Sequence, residues 1–292
     1  MRITKYLGRW SPFWGPKMQK KYGFETYYPA HDKDQPVIVF GCYARGTKTW
    51  IMNHRGLCVI VWSGSDSTRL HEHADFVHYC RQNADRVFHI AHSHWIQVDL
   101  AHFGFKFIDR VVTPTDFEGF QYESERGEYV YHYGSPDKKW YYGTHIINKL
   151  EAKWSKNQRF PNFIKTTQAA YKHDELYEKY KQSFLGVRLT EHDNMAMSVV
   201  EMGLMGRRSI FNGDVPCAIP YPCPPYDRYE PETRNRWVWQ DESLVGIVGK
   251  MILEYRDRYG YDPDPMVAEE MREFVYDDRE WLNTEYYDKA GE

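Results

Sequence analysis

The chain has 292 residues, 42% hydrophobic and 27% charged, with a formal net charge of -3. That balance belongs to globular proteins and excludes a disordered or collagen-like chain. The mean hydropathy of -0.73 does not mean a missing core, since the 24 tyrosines count as polar on that scale and yet bury well.

Short apolar runs alternate with helical patterns along the first half. Strands are predicted at 2–7, 24–28, 37–42, 57–62, 86–89 and 110–113, and helices near 16–22, 46–54, 68–83 and 94–103. Val37-Ile38-Val39-Phe40 and Val59-Ile60-Val61 are continuous apolar runs, as expected of strands covered on both faces. The pattern restarts after a polar stretch at 118–128. Strands follow at 128–133, 162–166, 184–189 and 209–211, and helices near 143–155, 174–183, 194–205, 241–258 and 264–282. Residues 213–236, rich in proline and aromatics, read as a long ordered loop. This alternation predicts parallel, doubly wound sheets. The expected fold class is α/β, with two tandem Rossmann-like domains over 1–120 and 121–262, a cleft between them, and a C-terminal helix over 263–292 crossing back to the first domain.

Charge is divided in the same way. Residues 1–120 hold 15 Lys/Arg against 11 Asp/Glu, a balance of +4, and the remainder carries -7. Different balances predict domains with different partners. No apolar run approaches the roughly 20 residues of a membrane helix, and the N-terminus lacks the apolar stretch of a signal peptide. The five cysteines at 42, 58, 80, 217 and 223 form no legible disulfide framework. A cytoplasmic setting is expected.

The stretch Thr190-Glu191-His192-Asp193-Asn194-Met195, continuing to Glu201 and Gly206-Arg207-Arg208-Ser209-Ile210, carries the chemistry. A strand ends, an acid stands in the turn, a helix starts, and a second acid lies eight residues after the first. With a helix from Asn194, Asp193 and Glu201 would be about 10–12 Å apart at the helical rise of 1.5 Å per residue. That is close to the span between the ribose and the sugar ring of a nucleoside diphosphate sugar. Free N–H groups at the helix start would face the diphosphate between them. Glu201 could accept both ribose hydroxyls, and Asp193 the sugar hydroxyls.

Here the sequence resembles the GT-B retaining glycosyltransferases, especially the GT4-type family, whose unit runs S-x-x-E-G-F and then E-A-M-A-x-G-x-P-V-I. This chain has T-E-H-D-N-M and then E-M-G-L-M-G-R-R-S-I, with Gly206 five residues after Glu201 as in the family. Ala91-His92-Ser93, the helix to Gly104 and the run at 108–117 resemble the family's exit from its N-terminal domain. Asp241-Glu242-Ser243-Leu244 opens a helix at the position of its "D-x-x-x-L" helix. The chain departs from the diphosphate-binding "G-R-…-K-G" pattern, having Ser135 after Gly134 and Tyr142 before Gly143. Lys138 and Lys139 are nearby substitutes and Arg188 is another. The Gly-rich loop after the first strand is reduced to Leu7-Gly8-Arg9-Trp10.

The resemblance implies a retaining, metal-independent hexosyl- or pentosyltransferase that uses a nucleoside diphosphate sugar, a UDP-sugar first of all, as co-substrate and needs no further cofactor. Donor binding falls to Glu201, Asp193, Asn194, Met195, Lys138, Lys139, Gly134 and Arg188. Catalytic roles fall to Asp193 and Asp66. Asp193 is also a natural N-cap, and Asp66, which follows Ser63 and Gly64, also reads as a capping residue before the helix at 68–83. Acceptor binding falls to Gly8, Arg9, Trp10, Trp14, Ser63 and Asp66. The first 24 residues hold six basic groups and no acid, interleaved with aromatics, a composition that could grip a phosphate-bearing acceptor or stack bases. The expected acceptor is a glycan or lipid-linked glycan. Alternatives are a modified DNA base, as in phage enzymes of this architecture, or a catalytically silent nucleotide-sugar-binding subunit. His71, His73, His78, His89, His92 and His94 lie in different elements and lack zinc-like spacing, so no metal site is expected. Asp32-Lys33-Asp34 and Asp262-Pro263-Asp264 read as turns.

Overall fold

The computed structural model describes residues 1–292 except 8–14, 135–141, 168–172, 191–194, 223–242, 277 and 291–292. The chain divides into two compact units, Met1–Asp116 with Val275–Glu292, and Phe117–Phe274.

The first unit is built on a parallel five-stranded sheet in the order β2-β1-β3-β4-β5. Its strands are β1 (Lys5–Tyr6), β2 (Glu25–Thr26), β3 (Val37–Phe40), β4 (Cys58–Val61) and β5 (Val87–Ile90). The two central strands, β3 and β4, are buried at every residue, as their unbroken apolar runs require. Helices α1 (Gly15–Tyr22), α2 (Arg45–Asn53), α3 (Ser65–Thr68), α4 (Ala74–Gln82) and α5 (His94–His102) connect them. The predicted single helix over 68–83 is broken into α3, a 3-10 turn at Leu70–Glu72, and α4. His73, at φ -135° and ψ 58°, interrupts the helical path before α4. The predicted strand at 110–113 does not form; Ile108 makes an isolated parallel bridge to Ile90 instead.

The second unit repeats the plan with a parallel sheet in the order β10-β9-β8-β6-β7. It comprises β6 (Tyr129–Gly134), β7 (Phe163–Thr167), β8 (Ser183–Val187), β9 (Ser209–Ile210) and β10 (Ala218–Ile219). The helices are α6 (Thr144–Trp154), α7 (His173–Lys181), α8 (Met197–Leu204), α9 (Ser243–Tyr259) and α10 (Pro265–Phe274). Ile146, Ile147 and Leu150 of α6 and Leu244, Val248 and Ile252 of α9 share one core with Val130, Leu185 and Val187 of the sheet. These residues recur at helical spacing, which is why each helix lays a single apolar stripe on the strands. The two-residue β10 lies within the predicted loop at 213–236, between prolines that hide it from pattern reading.

The C-terminus differs from expectation. The helix predicted over 264–282 ends at Phe274 as α10 and stays with the second unit, and only Val275–Glu292 joins the first. That returning segment contains a 3-10 turn at Glu280–Leu282 and α11 (Glu285–Ala290). Trp281, Leu282 and Tyr287 are buried against Ile3, Tyr22, Phe24 and Val59, and the Ile3 N–H donates to the Leu282 carbonyl at 2.7 Å. No helix among the described residues is long and apolar enough to cross a membrane.

Candidate functional site

In a parallel α/β sheet, ligands bind beyond the carboxyl ends of the strands where the winding direction reverses. In the second unit the chain runs from β6 outward to β7 and then back across to β8, so the reversal lies between β6 and β8. Gly134 ends β6 there, and Arg188 follows β8.

Strand period places Tyr131 and Tyr133 on one face of β6, with Gly186 and Arg188 on the same face of the neighbouring strand, since Tyr131 pairs with Gly186 in register. Gly186 is small for a reason. A Cβ there would stand 2.9 Å from the Met202 sulfur and 2.3 Å from Ser209 Oγ, so the glycine lets α8 lie close on this face. The fifth residue of α8 is Glu201, half-buried. Its Oε2 accepts a hydrogen bond of 2.7 Å from the Tyr180 hydroxyl of α7. Tyr180 is buried, with its ring edge-on to Tyr131 at 4.8 Å. The Tyr131 hydroxyl in turn bonds Thr166 Oγ1 at the end of β7. Burial, and next the charge of Glu201, hold the Tyr180 phenol well above its ordinary range; burial likewise pushes Tyr131 up to about 12. Both phenols therefore stay protonated. The Tyr180 hydroxyl donates, and Glu201 is kept as its acceptor.

Arg188 stands at the reversal itself. Its guanidinium lies 5.0 Å from the ring centroids of both Tyr133 and Tyr142, a cation–π contact with two rings that stand at 89° to each other. Its charge is felt at the hydroxyl of Tyr131, as is that of Glu201. The other face of β6 carries His132, fully buried, with Nδ1 3.1 Å from the Val187 carbonyl oxygen and Nε2 3.1 Å from Thr144 Oγ1. Burial lowers its pKa to about 4, so it is a neutral strut fixing the start of α6. Gly134 leaves room for that strut, because a Cβ would come within 2.6 Å of Thr144 Oγ1.

Glu201, Arg188, Gly134 and Met195 thus all belong to the carboxyl edge of this sheet or to α8. Met195 is half-buried, two residues before α8. The helix begins at Met197 with Ala196 as its N-cap, not at Asn194. Asp193, Asn194, Lys138 and Lys139 lie outside the described residues. Tyr180, Tyr131 and Thr166 were not anticipated. Tyr180 precedes Glu201 by 21 positions, beyond the reach of any local pattern.

In the first unit the reversal lies between β1 and β3. Gly8, Arg9, Trp10 and Trp14 follow β1 and lie outside the described residues. Ser63 and Asp66 lie beyond β4. The Asp66 side chain is turned inward, 1% exposed. Its Oδ2 accepts from the Cys42 N–H at 2.8 Å, and its two oxygens accept from the Ser63 N–H at 3.3 and 3.4 Å. Asp66 therefore ties the loops after β3 and β4 together and presents no oxygen to an acceptor. Burial raises its carboxyl to about 6 against the opposing effect of those N–H groups. Ser63 Oγ pairs with the Tyr43 hydroxyl at 2.7 Å on the exposed side of the same loops.

The remaining candidates have structural places. His89 is buried, stacked on Phe105 at 4.4 Å, and accepts from Trp62 Nε1 at 3.1 Å. Asp32 Oδ2 accepts the Tyr28 N–H, and Asp264 Oδ1 accepts the Met266 N–H at the start of α10. Among the described residues no group of three His, Cys, Asp or Glu side chains could hold a metal ion.

Fold and site together define a two-unit α/β protein with Rossmann-like units, the second of which has a polar site at the point where its sheet reverses. No family model matches the chain, and no curated protein matches it. Among solved structures, TarM matches with a TM-score of 0.47 and 14% identity, over 88% of this chain and 54% of that one. The GtfA/B complex matches with a TM-score of 0.48 and 11% identity, over 87% and 56%. A mutant of S. aureus TarM in complex with Fondaparinux, alpha-GlcNAc-glycerol and UDP matches with a TM-score of 0.42 and 12% identity, over 82% and 55%. The chain spans about half the length of these structures, and the likeness is one of backbone path alone.

Proposed function

We propose that the protein is a glycosyltransferase of GT-B architecture that transfers a sugar from a nucleoside diphosphate sugar to a hydroxyl of a glycan or lipid-linked glycan acceptor. The observation that carries this reading is Glu201. A half-buried carboxylate is held on α8 by a tyrosine donor, on the same sheet face as Arg188, which lies over the Tyr133 and Tyr142 rings. A carboxylate accepts the paired hydroxyls of a ribose. A guanidinium matches the oxygens of a diphosphate and neutralises the charge that grows on the leaving group as the sugar C–O bond breaks. The N–H groups at the start of α8 add to that stabilisation.

Arg188 thereby takes the diphosphate role that the departures from the "G-R-…-K-G" pattern leave open, alongside Lys138 and Lys139. Asp193 is the proposed contact to the sugar. The first unit takes the acceptor, with Ser63 and the segment from Gly8 to Trp14. Retention of configuration, independence from metal and the choice of a UDP-sugar follow from the resemblance of the Asp193–Glu201 stretch to the GT4-type family. The inward-turned Asp66 favours a second reading, a nucleotide-sugar-binding subunit without turnover, because it removes one candidate base from the reaction.

Thermal unfolding against UDP, GDP, ADP, CDP and dTDP, with Glu201→Ala beside the wild type, tests the donor site. A ligand at 100 times its dissociation constant adds about 2.7 kcal/mol of stability, which raises the midpoint by several degrees. The expected result is a shift with one nucleotide that the variant loses. No shift with any of the five would sink the donor assignment.

A further inference from the structure

We infer that Tyr180 is the positioning residue that sets the ribose selectivity of the donor site, acting through Glu201. The inference rests on the nucleotide-sugar reading above and goes beyond it, since neither the spacing nor the resemblance assigns Tyr180 a role.

A glutamate on a helix has three side-chain torsions, and its carboxylate can swing over several ångströms. Selecting a ribose by both hydroxyls needs that carboxylate in one orientation before the ligand arrives, because rotamer freedom lost on binding subtracts from affinity. The structure supplies the restraint on one oxygen. Tyr180 donates to Oε2 at 2.7 Å, and the phenol making that bond is itself immobile. It is 1% exposed, edge-on to Tyr131 and tilted against Phe120 at 5.7 Å. The Tyr131 hydroxyl bonds Thr166 Oγ1. A line of contacts thus runs from the end of β7 through the Tyr131 ring on β6 and Tyr180 on α7 to Glu201 on α8. Four elements of the unit are tied to the orientation of one carboxylate. The two oxygens of a carboxylate offer about four lone-pair sites, and the Tyr180 bond occupies one of them.

The proton of this bond stays on Tyr180, which burial and the neighbouring Glu201 charge keep from ionising, so Tyr180 is the donor and Glu201 Oε2 the acceptor.

The test compares binding of UDP, GDP, ADP and CDP with that of their 2′-deoxy forms, by titration calorimetry on the whole chain. The wild type should prefer the ribose form of its nucleotide by about tenfold or more, the worth of a hydrogen bond to a charged group. Tyr180→Phe deletes the hydroxyl and keeps the ring. It should reduce that preference to within about threefold of unity, while the deoxy form binds as it does to the wild type. Glu201→Gln should lose the preference as well, and Tyr180→Phe should add no further loss to it, because the two act through one contact. A Tyr180→Phe protein that keeps the full ribose preference, when Glu201→Gln loses it, overturns the positioning role and leaves the donor site standing. A wild type that binds none of the four overturns both. A Tyr180→Phe protein that stays folded and weakens ribose and deoxy forms equally also overturns the role, because the contact would act on the ribose form alone.

Discussion

At the scale of single residues, the most informative side chain is one whose burial changes its role. Asp66 stands in a sequence context, Ser63-Gly64-Ser65-Asp66 at the end of a strand, that suits both a catalytic carboxylate and a loop cap. Its inward turn decides for the loop. The raised carboxyl, about 6, gives the group a definite signature. Its folded pKa lies above the unfolded value, so as pH rises the unfolded chain loses this proton first and stability falls, the loss being complete once pH passes the folded pKa. Asp66→Ala should therefore destabilise the protein by about 2–3 kcal/mol at pH 5, having left two loop N–H groups unpaired. Relative to wild type that cost should shrink by about 1.4 kcal/mol at pH 8. Denaturant unfolding at the two pH values checks it; a cost that grows with pH would mean that the carboxyl ionises easily in the folded protein. Glu201 shows the converse. Its position on a helix was legible, but the tyrosine that orients it comes from another helix.

At the scale of elements, the continuous apolar strands and the helical stripes were readable because each depends on residues within one turn or one strand. The breaks were not. The pattern at 68–83 reads as a single helix, yet it forms as two helices and a 3-10 turn, since His73 adopts a non-helical backbone. Helix α8 starts at Met197 rather than at Asn194, which moves Glu201 to within about 6 Å of the helix start along the axis. Close approach between elements was equally hidden. Gly186 looks like an ordinary weak point in a strand, but it is where α8 packs on β8. Gly186→Ala should cost about 1–3 kcal/mol by overpacking and should weaken nucleotide binding by lifting Glu201. Gly246→Ala, on the face of α9 where a new Cβ meets nothing nearer than Lys153 Nζ at 3.7 Å, should be neutral or stabilise by about 0.5–1 kcal/mol. Thermal melts with and without nucleotide separate the two. Equal behaviour would remove the packing argument for Gly186.

At the scale of the whole molecule, both units answer acid through buried imidazoles. The first buries His54 and His89 and the second His132; burial lowers the pKa of all three, to about 3 for His89 and about 4 for His132. A histidine with a depressed folded pKa loses stability as pH falls below its unfolded value near 6.5, because the unfolded chain takes up the proton first. Between pH 8 and pH 5 His89 and His132 should each cost about 2 kcal/mol, and Asp66 offsets part of the cost in the first unit. Hydrogen exchange at pH 8 and pH 5, corrected for intrinsic rates, should show protection lost at the lower pH in residues 117–274 as well as in residues 1–116. Unchanged protection at pH 5 would show that other groups govern the acid response. By itself the sequence determined that this is an α/β protein of two similar units, and it marked Glu201 and Arg188, because strand burial and helix stripes are properties of neighbours along the chain. Only the tertiary structure decided that Asp66 faces inward, that α10 remains with the second unit, and that Tyr180 holds Glu201. These depend on the register of strands and the packing of helices, which bring together residues tens of positions apart.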